Sequence, residues 1–132
     1  MAHTEHDKRP LSPHLQIYRP MLTMMMSIFH RATGMATALG VVLLVWWLTA
    51  AATSDAYFDM VQGFFGSWFG RLVLFGFTWA LVHHALGGLR HLLWDTGRGF
   101  ALPTVELMAR ATIIGSVVLT ILLWVIGYGV MS

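Results

Sequence analysis

No cysteine occurs among the 132 residues, which excludes disulfides, thiolate ligation of haem, covalent haem attachment through CxxCH and any cysteine-held iron–sulfur cluster within this chain. Charge is scarce too: 11% of residues are Asp, Glu, Lys or Arg against 57% hydrophobic, with a mean hydropathy of +0.67. A soluble domain of this length does not carry so large an apolar excess. The few basic residues form no continuous stripe, so a nucleic-acid partner is not expected. Internal repeats and low-complexity tracts are missing as well. Redox work in such a chain has to rest on histidine.

What the sequence does have is three uncharged runs, Ala32 to Ser54, Leu72 to Leu89 and Ala111 to Ser132. Each is near the ~20 residues that span the hydrocarbon of a bilayer. The expected fold is all-α: a single membrane-anchor domain over residues 1–132, with a cytoplasmic segment 1–26 and transmembrane helices at about 27–54, 68–96 and 103–131. The opening "MAHTEHDKRPLSPHLQIYRP" contains Glu5, Asp7 and three prolines. It reads as neither a signal peptide nor an acid-poor transit peptide, so a bacterial inner (cytoplasmic) membrane is expected. "SPHLQIYRP" is expected to lie along the membrane surface. In "TGRGFALP", the glycines stop the second span and Pro103 starts the third, with Glu106 in its first turn, where the helix dipole favours an anion.

Positive charge sets the orientation. Lys8, Arg9, Arg19 and Arg31 precede the first span, and Arg90, Arg98 and Arg110 surround the connection between the second and third. Both regions are expected in the cytoplasm and the C-terminus outside. The connection "DAYFDMVQGFFGSWFG" carries two aspartates and no base, as an outer loop should.

The second span ends in "HHALGGLRHLLWDTG". At about 100° per residue, Phe77, His84, Gly88, His91 and Asp95 fall on one helix face, flanked by Gly87. His84 lies about 9 Å deeper than Arg90, whose side chain is expected to reach the headgroups. An imidazole at that depth needs a partner: a haem iron, another metal, a hydrogen-bonding group on a neighbouring helix, or a proton path. The glycines one turn away either admit a flat macrocycle or allow close helix packing. His83 points about 100° away and suits a helix-to-helix hydrogen bond. His91 and Asp95, four residues apart, can form a structural pair or belong to a proton relay.

The first span opens with "SIFHRATG", where Ser27, Arg31 and Gly34 share a face beside His30. A hydroxyl and a permanent guanidinium at the apolar boundary can donate hydrogen bonds to an amphipathic ligand, or Arg31 can anchor to lipid phosphate. Antiparallel packing of the first two spans would bring both constellations to one side and one depth. The row Thr112, Ser116 and Thr120 in the third span reads as a packing seam.

These two motifs resemble those of the cytochrome b subunit of succinate dehydrogenase, the larger membrane anchor of respiratory complex II. The first family pattern, S-x-x-H-R-x-[ST]-G, is met by Ser27, His30, Arg31, Thr33 and Gly34. The second, H-x-x-x-G-x-R-H-x-x-x-D, is met by His84, Gly88, Arg90, His91 and Asp95. The resemblance implies that His84 is one axial ligand of a single haem b, with a second small membrane-anchor subunit supplying the other. It implies that His30 and Arg31 approach the haem propionates, and that Ser27 and Arg31 line a ubiquinone site beside the iron–sulfur subunit. Electrons from succinate would arrive through a flavoprotein subunit and the iron–sulfur subunit. This chain would then hold no catalytic residue for the dicarboxylate. The anchor of a quinol-fumarate reductase and a haem-free membrane scaffold stand as alternatives.

Overall fold

The computed structural model describes residues 17–131 and contains four helices: α1 (Leu22–Thr53), α2 (Asp55–Gly66), α3 (Trp68–Asp95) and α4 (Leu102–Met131). Among the described residues there is no strand. Three of the helices, α1, α3 and α4, are long and apolar enough to cross a membrane. The chain is an all-α, multi-pass membrane protein.

Helix α1 begins at Leu22, earlier than the sequence suggests. Met21 is extended, and its carbonyl accepts from the amides of Met24 and Met25 at 3.1 Å each, so Leu22 to Met25 form the first turn. Unbranched Leu and Met side chains lose little freedom in a helix. Residues 1–16, including most of the expected surface segment, lie outside the described residues.

The connection between the first two spans is a helix rather than a loop. Ser54 caps α2 by accepting from the Tyr57 amide at 3.3 Å, and Ser67 caps α3 by accepting from the Gly70 amide at 3.1 Å. At this corner Gly70 lies so close to the backbone of Phe64 and Phe65 that no Cβ fits. Helix α2 is held by Val61 and Phe65, which pack with Ala50, Leu43, Trp46 and Leu74, and by two indole hydrogen bonds of 2.9 Å, Trp46 to the Tyr57 hydroxyl and Trp47 to Gln62. At the opposite end, Gly97 and Gly99 adopt positive φ of 77° and 80°, turning the chain from α3 into α4. Glu106 is not in the first turn of α4 as the spacing suggests, because the helix begins at Leu102; it lies past that turn and pairs with Arg110 at 3.4 Å.

Packing is that of a membrane bundle. Large side chains such as Leu39, Val42, Ile114 and Ile126 face outward, while the interior is lined by Thr33, Gly40, Ala80, Gly87, Ala109, Thr112, Ser116 and Thr120. Lipid tails are as apolar as Leu, so close backbone approach and polar contacts drive association. The buried threonines bond back along their own helices, as Thr120 does to Ser116 O at 2.7 Å and Thr112 to Met108 O at 2.8 Å.

Candidate functional site

Helices α1 and α3 run antiparallel and bring the two motifs together. The rings of His30 and His84 stack with centroids 4.1 Å apart and planes 7° from parallel, and His91 lies 5.0 Å from His30. Glycines make this possible. A Cβ on Gly34 would come within 3.0 Å of His84 Cε1, and one on Gly87 within 2.5 Å of His30 Nδ1. Further along, Gly40 receives the ring of Phe77. The pairs His30/Gly87, Gly34/His84 and Gly40/Phe77 follow one register, each ring on one helix seated against a glycine on the other.

His84 Nδ1 lies 3.0 Å from the backbone carbonyl of His30. A carbonyl can only accept, so Nδ1 carries the proton and Nε2 presents its lone pair. His84 Nε2 has no hydrogen-bond partner among the described residues and is not sealed inside the chain. Beside it, a Cβ on Gly88 would meet no atom within 4 Å apart from its adjoining residues and the backbone of its own helix turn. A free imidazole nitrogen, a carbonyl fixing its tautomer and open space one turn away suit a histidine that would ligate haem iron, so the residues fit that group. A bare metal ion fits less well: among the described residues no three His, Asp or Glu side chains form a candidate metal-holding group.

His83 is different. Only 2% exposed, its Nδ1 lies 3.1 Å from Ser116 Oγ on α4. The Ser116 hydroxyl donates its proton to Ile113 O at 2.9 Å, so His83 Nδ1–H donates to Ser116. His83 Nε2 is then a lone pair closed inside the protein. This histidine ties α3 to α4 and cannot reach a ligand.

The remaining site residues divide. Ser27 and Arg31 are exposed and make no side-chain hydrogen bond or ion pair among the described residues. Ser27 borders a shallow recess with Tyr18, Met24 and Ile28. His91 stands edge-on to Trp94 at 5.2 Å, and the pairing with Asp95 that the spacing permits is not made. Asp95 is exposed. Arg90 corrects the sequence reading: instead of extending to the headgroups it is 6% exposed, with its guanidinium 5.1 Å over the Trp94 ring. Helix phase explains this, because Arg90 follows His83 and Gly87 on the face closed by the bundle. The His30–His84 stack and the glycine seats were missed in the sequence. The signal available was the recurrence of rings and glycines at matching intervals on two antiparallel helices.

The model of the succinate dehydrogenase/fumarate reductase transmembrane subunit family matches residues 5–123. The chain belongs to this family. It is 46% identical over 122 residues to the succinate dehydrogenase cytochrome b556 subunit of Paracoccus denitrificans, covering 92% of this chain and 94% of that one. The b556 subunit of Rickettsia conorii is 38% identical over 120 residues, covering 91% and 94% of the two chains. The mitochondrial b560 subunit of Sus scrofa is 39% identical over 97 residues, covering 72% of this chain and 57% of that one. Within the family the chain is of the membrane-anchor cytochrome b type, a subunit of an oxidoreductase complex.

Proposed function

We propose that this subunit anchors a flavoprotein and an iron–sulfur subunit to a bacterial inner membrane, holds one haem b through His84 together with a second small anchor subunit, and forms part of the ubiquinone-reduction site with Ser27 and Arg31. The observation that carries the reading is His84: proton fixed on Nδ1 by the His30 carbonyl, Nε2 without a partner, and open space at Gly88. Bound there, haem supplies one-electron redox capacity within the membrane.

The chain's own residues do the rest. The His30 carbonyl and the Gly34 seat orient His84, and His30 and Arg31 would meet propionate charge at the basic end of the bundle. Arg19, Arg98 and Arg110 are at that same end, which supports a cytoplasmic N-terminus and a C-terminus outside. Quinone reduction needs donors aimed at carbonyl oxygens where negative charge develops, in a site of low dielectric. Ser27 and Arg31, exposed and without a partner within the described chain, can supply them. Protons reach that end from the cytoplasm, where His91 and Asp95 stand ready as a relay.

Two substitutions test the quinone assignment in the purified complex. Ser27→Ala and Arg31→Ala are expected to lower succinate–quinone activity by about tenfold or more, the worth of one charge-assisted contact, while succinate oxidation with an artificial acceptor is unchanged. Wild-type quinone reduction in both variants would remove the assignment.

A further inference from the structure

At the end of the bundle away from the histidines, α1, α3 and α4, with Gln62, Phe65 and Gly66 of α2, line an open cleft of about 560 Å³. Its wall is almost wholly apolar, formed by Leu43, Leu44, Leu74, Phe77 and Leu123 among others, and it reaches inward to Gly40. Its mouth is polar: Arg71 and Tyr128 line it, with the Arg71 guanidinium 3.5 Å from the Tyr128 hydroxyl and 5.9 Å from its ring centroid. Arg71 is the one cation at this end among the described residues, and it makes no ion pair there, although Asp55 and Asp59 of α2 are at the same end.

We propose that this cavity binds one phospholipid, with its phosphate on Arg71 and Tyr128 and an acyl chain inserted between α1, α3 and α4. The charge argues for phosphate. A guanidinium at the edge of the hydrocarbon seeks an anion, and its fork of donors matches phosphate oxygens. A neutral quinone head would leave that charge uncompensated. The shape argues for an acyl chain: the cleft lies within the size range of small-ligand sites, and a helix about 10 Å across does not enter it. The proposal rests on the membrane-spanning bundle alone and is independent of the haem at His84.

The test uses the complex purified through this chain in mild detergent and washed, with retained phospholipid and quinone quantified per complex. The wild type is expected to keep one phospholipid. Arg71→Gln should lower its retention about tenfold, as loss of one charge-assisted pair does, and Arg71→Lys should largely restore it. Leu123→Trp, which fills the cavity from an exposed position and leaves Arg71 in place, should lower it equally with the haem spectrum intact. A benzophenone side chain at position 127 should give a lipid adduct. Unchanged retention in Arg71→Gln and Leu123→Trp, quinone in place of phospholipid, or an adduct with a partner subunit would overturn the proposal.

Discussion

Gly87→Ala tests whether His30 positions His84. The added methyl would lie 2.5 Å from His30 Nδ1, and ordinary contact needs about 3.5 Å, so the imidazole must retreat by roughly 1 Å. It has little freedom to do so, with the His84 ring 4.1 Å away and that of His91 5.0 Å away. Overpacking of this kind costs about 1–3 kcal/mol, and the gain of Ala over Gly in a helix returns about 1 kcal/mol. The net change in stability is therefore small, and the complex should still assemble. The larger effect falls on ligand orientation, because disturbing the groups that hold a metal-ligating histidine weakens binding by about 10–100-fold. Haem transfer from the purified complex to excess apomyoglobin should be faster by about that factor, with a shifted haem spectrum. Gly34→Ala, where the contact is 3.0 Å to His84 Cε1, should give a milder change in the same direction. In Gly88→Ala the new methyl meets nothing within 4 Å apart from its adjoining residues and its own helix backbone, so haem loss there would report a group filling that space. A wild-type transfer rate and spectrum in Gly87→Ala would refute the idea that His30 and its glycine seat control His84.

Two further perturbations follow from the packing. Gly70→Ala drives a methyl into the backbone of Phe64 and Phe65, which cannot swing aside as a side chain can, so the subunit should fail to accumulate in membranes; normal accumulation on quantitative immunoblots would contradict the α2–α3 corner described above. Ser116→Ala leaves the buried His83 N–H without its acceptor and should destabilise the bundle by about 1 kcal/mol, in line with interhelical hydrogen bonds in membranes, as read by thermal denaturation in detergent. The haem spectrum should not change, since His83 faces away from the ligand space.

The three long helices were legible because membrane spans are announced by length and apolarity. The same was true of the helix-to-helix role of His83 and of the Thr112–Ser116–Thr120 seam, where polar residues recur at helical spacing in an otherwise apolar run. Helix α2 was not legible. Its mixed composition suggested a loop, and only the capping serines Ser54 and Ser67 marked its ends. Arg90 was misread because a cation near a span end ordinarily extends to water, whereas its phase on α3 turns it inward against Trp94. The stacking of His30 on His84 depends on the register between two helices, which neither helix specifies alone. It becomes readable only when each ring is matched to a glycine across the interface.

The most direct test of the account is an optical difference spectrum of the detergent-purified complex, before and after succinate, for the wild type, His84→Leu and His83→Leu. A b-type signal reduced by succinate, retained in His83→Leu and lost or altered in His84→Leu, is the predicted result. A wild-type complex without a haem band, or a signal that survives unchanged in His84→Leu, would contradict it.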